Sequence, residues 1–141
     1  MTVTINDLEF DRQILAMQRE VVDDYALFIK RVVFGLFQKI VDGTPVDTGR
    51  ARGNWFVTRG SPSDETAEIG GPPGGDNAAI GTAASMERLE QLQVGDGFDI
   101  YWIVNNLPYI VPLEEGTSTQ APQGWIRIAL AELEAEILSA F

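Results

Sequence analysis

The sequence predicts an α+β fold: a long N-terminal helix and a C-terminal helix packed on a small, mainly antiparallel β-sheet, with a long inserted loop. Three observations carry this expectation. Apolar residues recur at spacings of three and four from about Ile14 to Val41 and again near the C-terminus, short aromatic and β-branched runs lie between them, and a Gly/Pro-rich stretch divides those runs. At 141 residues the chain reads as one domain, residues 1–141, large enough for a real hydrophobic core.

In the first helix, Val21, Tyr25, Phe28, Val32, Leu36 and Ile40 form a stripe that Val22, Ile29, Val33 and Phe37 widen. So wide a stripe should cover a sheet, a neighbouring subunit, or both. At ~1.5 Å per residue this helix would be roughly 40 Å long. Residues 1–10 carry little periodicity and read as an arm or a short cap. Gly43, Thr44 and Pro45 should end the helix. Asn54 to Arg59 then reads as a strand, with Trp55 and Val57 on one face and Phe56 and Thr58 on the other.

Residues 60–95 read as an extended loop carrying a short helix. Gly60 to Gly81 is rich in Gly, Pro, Ser and Asp, with at most a short strand around Thr66 to Ile69. The short helix is expected over Thr82 to Leu92, capped by Thr82 or Ser85. Phe98 to Val104 is the clearest strand, and Asp96-Gly97 predicts a hairpin with a partner near Gln91 to Val94. Pro108 and Pro112 exclude a regular element from the next stretch. A closing helix from about Gln123 to Ala140 places Ile126, Leu130, Leu133, Ile137 and Phe141 on its apolar stripe, with Glu132, Glu134 and Glu136 largely off it.

Composition narrows the function. The chain has no cysteine and no histidine, which removes disulfides, thiolate nucleophiles and the commonest general base and metal ligand near neutral pH. A net charge of −11 argues against a surface that wraps nucleic acid, because such binding needs clustered cations. Of ten cations only Lys30 and Lys39 are lysine, and the excess of arginine suits oriented contacts at protein interfaces. No basic start followed by an apolar stretch is visible, and charges interrupt every candidate membrane span, so the expectation is a soluble protein made in the cytoplasm with no membrane partner.

Several constellations invite chemistry. Asp47-Thr48-Gly49 is the triplet that carries the catalytic Asp of pepsin-like and retroviral proteases, and an aspartyl hydrolase built on Asp47 is the remote alternative. Its context differs: a helix and Pro45 precede the triplet, and Arg50 follows where a small residue should stand. The residues favour a turn in which Asp47 accepts backbone hydrogen bonds and Gly49 adopts a positive φ. Glu114-Glu115 with Asp99 suggests a metal or glycosidase carboxylate set, but nothing fixes the spacing, and adjacent acids after a proline usually sit in solvent. Gly70-Gly71 and Gly74-Gly75 lack the Gly-Lys-Ser/Thr of a phosphate loop. For Arg50 and Arg52 a salt bridge within or between subunits is favoured over phosphate contact. Trp55 and Trp102 read as core, and Trp125 equally as core or interface anchor.

Two turn-rich joints remain. One is Thr44-Pro45-Val46-Asp47-Thr48-Gly49-Arg50-Ala51-Arg52-Gly53-Asn54-Trp55. The other runs from Val104-Asn105-Asn106-Leu107-Pro108-Tyr109-Ile110 through Leu113-Glu114-Glu115-Gly116-Thr117 to Gln120-Ala121-Pro122-Gln123-Gly124-Trp125. In residues, order and frame they resemble the neck and tail-completion (head-tail joining) proteins of tailed bacteriophages. The similarity spans about residues 20–138 and is weakest over 60–95. It implies a structural virion protein in the neck, assembled in the host cytoplasm, forming a homo-oligomeric ring around the DNA channel. Its partners would be the adjacent head-completion, connector and tail proteins, with genomic DNA passing through the lumen unbound. A tail terminator or minor tail component is the alternative. The resemblance implies no enzymatic activity and no cofactor. Asp47, Arg50, Arg52, Trp55, Asn106, Pro108, Tyr109, Glu114 and Trp125 are then the interface candidates, and excess acid would line the lumen so that DNA slides without sticking.

Overall fold

A computed structural model describes residues 8–72, 75–95, 99–117 and 124–139. Its first helix, α1, runs from Leu8 to Gly43, 36 residues and so about 54 Å at ~1.5 Å per residue. It starts six residues before Ile14, so positions 8–10 are helix rather than arm, and residues 1–7 lie outside the described residues. The extension has a local cause. Leu8 to Glu20 is rich in Leu, Glu, Arg, Gln, Met and Ala, which propagate a helix without an apolar stripe. The C-terminal half of α1 is the spine of the core: Val33, Phe37, Ile40 and Val41 are buried, and Ile29, Phe34 and Leu36 pack beside them.

Strand β1, Trp55–Arg59, follows a 3-10 turn at Arg52–Asn54 and pairs antiparallel with β2, Tyr101–Asn105. Trp55 faces Asn105, Val57 faces Ile103 and Arg59 faces Tyr101. The sheet has two strands among the described residues, and such a pair is marginal unless something covers one face. The C-terminal half of α1 does so, meeting Trp55, Val57, Tyr101 and Ile103 in one core cluster.

Helix α2, Asn77–Gln91, lies between the strands in sequence. It begins five residues before Thr82, because buried Asn77 is anchored at long range: its Nδ2 donates to the Asp47 and Pro72 carbonyls at 2.8 and 2.9 Å. Ser85 does not cap the helix; its hydroxyl donates to the Arg52 carbonyl instead. No strand forms at Thr66 to Ile69. The Asn54 side chain takes the place of a strand partner, accepting from the Ala67 amide and donating to its carbonyl. The expected partner strand at Gln91 to Val94 does not form either. Leu92 packs on the core, the Gly95 amide donates to the Tyr101 hydroxyl, and β2 pairs with distant β1. Residues 96–98, the centre of the expected hairpin, lie outside the described residues.

After β2, a short helical turn α3, Ile110–Pro112, leads into a wide turn at Leu113–Thr117, where an irregular stretch was expected. Pro112 is tolerated because the first turn of a helix has no intrahelical use for its missing N–H. The closing helix α4, Trp125–Ser139, packs on α1 through Trp125 and Ala129, with Leu133 and Ile137 half-buried on the same side. Leu130, expected on that stripe, is 47% exposed: the seam follows Trp125, Ala129 and Leu133, and a residue one position on from Ala129 points about 100° away. Phe141 lies outside the described residues. Trp102, read as core, is 36% exposed. It shares the outer face of the sheet with Thr58, opposite in register, and its indole donates to the Gly60 carbonyl. Among the described residues no helix is long and apolar enough to cross a membrane.

Candidate functional site

The last turn of α1 leaves carbonyls without intrahelical partners, and the first joint exists to satisfy them. The Thr44 hydroxyl donates to the Ile40 carbonyl at 2.7 Å and accepts from the Trp55 indole at 2.8 Å, while the Trp125 indole also donates to Ile40. Trp125 approaches so closely that a Cβ on Gly43 would lie 2.7 Å from its ring. Arg52 closes the end: Nη2 donates to the Asp42 and Thr44 carbonyls at 2.9 Å each, Nε to Thr44, and Nη1 to the Thr82 hydroxyl. Burial lowers the Arg52 pKa, but a guanidinium keeps its charge and complements the negative end of the helix. Arg52 is therefore a helix cap, and among the described residues it makes no ion pair within the chain.

Beyond Thr44 the chain turns sharply at Gly49, whose φ of +81° is the left-handed region expected there. An added Cβ would collide with the Asn77 carbonyl oxygen. The expected role of the Asp47 carboxylate as acceptor is taken by the Thr48 hydroxyl, which receives the Arg50 amide, while among the described residues Asp47 accepts through its carbonyl, from Asn77. Asn54, fully buried, donates to the Arg50 and Ala67 carbonyls. Arg88 of α2 donates to the Gly53 and Trp55 carbonyls at 2.7 and 2.8 Å and lies 3.9 Å from the Phe56 ring centroid. Neither Arg88 nor Asn77 was legible in advance, because their partners are backbone groups of a joint thirty or more residues away.

The second joint docks on the first. Asn105 Nδ2 donates to the Ala51 carbonyl at 2.9 Å, and its Oδ1 receives the Leu107 amide. Asn106 is exposed and holds the Ser63 and Glu65 carbonyls at 2.9 Å each. Glu114 does not sit free in solvent. Its carboxylate takes both Nε and Nη2 of Arg127, at 3.2 and 2.9 Å, and its carbonyl receives the Gly124 amide. The Arg127 guanidinium holds the Glu114 carboxyl below the usual carboxylate range, and the pair fixes the start of α4. Asp99 lies elsewhere, beside Arg59.

Between the joints lies a cleft of about 440 Å³ lined by Pro45 to Ala51 on one side and Tyr109 and Leu113 on the other. Three of the sequence candidates meet there: Asp47 and Tyr109, both exposed, and half-buried Arg50. Arg50 Nε is buried and has no hydrogen-bond partner. Among the described lining residues Asp47 is the one carboxylate. Pro108 is exposed nearby, whereas Trp55 and Trp125 are core residues and present no surface. A larger groove of about 590 Å³ runs past Arg59, Arg88 and Gln93, away from both joints' shared face. Beside the Asp47 carboxylate the cleft offers a guanidinium, a phenol and an apolar wall, and a guanidinium can grasp an anionic group. No group of three or more acids that could hold a metal occurs among the described residues. No protein family, curated protein or solved structure matches the chain in comparison.

Proposed function

We propose that this chain is a structural subunit that closes into a ring in the neck of a tailed bacteriophage, joining head to tail around the DNA channel. The observation that carries the reading is the docking of the two joints that bear the resemblance. They are about fifty residues apart in sequence, yet Asn105 of the second holds Ala51 of the first, and both line one cleft. Each is rigid turn chemistry whose polar groups are satisfied internally apart from the buried Nε of Arg50, which suits a brick better than a reaction site.

Self-association has further support in α4, where Ile128, Leu130 and Leu138 stand exposed on the side away from α1. Apolar side chains on the outer face of a helix are candidates for burial against a partner. A ring also needs two different faces, since head-to-tail contacts close by rotation. The outer face of α4 and the cleft are two such faces. The net charge of −11 suits a wall past which DNA moves without being held.

Deleting the gene from its virus tests the reading. The expected result is filled heads and free tails that fail to join until the wild-type protein is supplied. Joined, infectious particles made without the polypeptide would sink the reading.

A further inference from the structure

Among the described residues Arg50 is the one cation that lines the cleft, and it differs from five cations elsewhere in the fold. Lys39 is paired with Glu132 and Glu136, Arg127 with Glu114, and Arg59 with Asp99, while Arg52 and Arg88 hold backbone carbonyls. The Arg50 side chain makes no hydrogen bond or ion pair among the described residues, and its Nε is shut away from solvent. A guanidinium has five N–H donors and no acceptor, so burying part of it without a partner is unfavourable. The residue nevertheless lines an open cleft beside Tyr109, on a loop fixed by Gly49, Asn54 and Asn77. A rigid, pre-placed and unpaired guanidinium is what bidentate carboxylate recognition requires.

We propose that the cleft receives a carboxylate carried by a second copy of this chain, with Arg50 as the group that binds it. This rests on the self-associating reading above and names the chemistry of one contact. Charge decides the occupant. The chain has 21 acids against 10 cations, and Asp64, Glu68, Glu90 and Glu134 are exposed. A neighbouring copy therefore brings surplus carboxylates to a cleft that holds an unpaired cation. Within one copy, Asp47 is the nearest acid in sequence, and it forms no ion pair with Arg50.

Sedimentation velocity over a concentration series tests the proposal on the full chain, wild type against Arg50→Gln, Arg50→Lys and the control Arg59→Gln. The wild type should associate. Arg50→Gln should weaken association at least about tenfold, Arg50→Lys should fall between them, and Arg59→Gln should match the wild type. Thermal unfolding checks that each variant folds, and Arg50→Lys keeps the test decisive if Arg50→Gln does not. Wild-type association by Arg50→Gln would overturn the proposal while leaving the ring reading intact. Equal losses in Arg50→Gln and Arg59→Gln would reduce the effect to net charge and also overturn it. A wild type that stays monomeric throughout would remove the second copy as the source of the carboxylate, and the self-associating subunit with it.

Discussion

Arg50 and Arg52 stand two residues apart on one turn, and the fold uses them in opposite ways. Arg52 faces inward, where it ties the end of α1 to α2 through the Asp42 and Thr44 carbonyls and the Thr82 hydroxyl. Arg50 lines the cleft, and its side chain holds no partner among the described residues. The inner side of the joint is saturated with hydrogen bonds, and the outer side offers an unanswered charge. Chemistry of the side chain does not separate the two roles. What separates them is which side of the turn the last carbonyls of α1 occupy.

Substitutions on the two sides should therefore differ in kind. The largest loss of stability should come from Asn54→Ala, about 3 kcal/mol, because it leaves the Arg50 carbonyl and both polar groups of the Ala67 backbone unpaired in the interior. Urea unfolding measures it, and a loss under about 1 kcal/mol would mean that water replaces the side chain there. Arg52→Ala should lose about 2 kcal/mol by uncapping α1. If it unfolds like the wild type, the inner side of the joint is not the structural one.

A smaller effect separates the second joint by pH. The Glu114 carboxyl titrates below its ordinary range in the folded chain because Arg127 grips it. A depressed folded value stabilises above the unfolded pKa of about 4.3 and is lost as pH falls through the folded value. Thermal melts across the acid range should show Glu114→Gln losing part of that acid-limb slope while changing little near neutrality. Unchanged slope would assign the acid sensitivity to other carboxylates. Smallest of all, Arg50→Ala should alter monomer stability by no more than about 0.5 kcal/mol, since it breaks no side-chain hydrogen bond or ion pair among the described residues. A large loss would place Arg50 with Arg52 as an internal tie.

What the sequence made legible was local. The end of α1 at Gly43-Thr44-Pro45, the positive φ at Gly49 and the alternation of Trp55 and Val57 follow from the conformational limits of single residues and from strand geometry. What stayed hidden was long-range. In the stretch from Phe98 to Val104 both parities are apolar, so alternation could not tell that Tyr101 and Ile103 face α1 while Trp102 faces out. The start of α2 depends on Asn77 reaching Asp47, thirty residues back. The partner of β2 depends on a crossing from α2 that no turn signal announces. Of the candidate surface residues, Asp47, Arg50 and Tyr109 converge, while Trp55 and Trp125 belong to the interior because their indoles serve the end of α1.

The length of α1 has a mechanical consequence. Val33, Phe37, Ile40 and Val41 of α1 belong to the core cluster and Ile29 packs against it, and the helix begins at Leu8, so roughly 30 Å of backbone lies between its start and Ile29 at ~1.5 Å per residue. The loop that carries Arg50 also carries Arg52, the clamp on the anchored end. A tilt of about 10° at that clamp would swing the far tip by about 9 Å, so the rod is a lever whose fulcrum lies beside the cleft. A neighbour seated at Arg50 would then be felt at the opposite extremity of the subunit, as displacement rather than as contact.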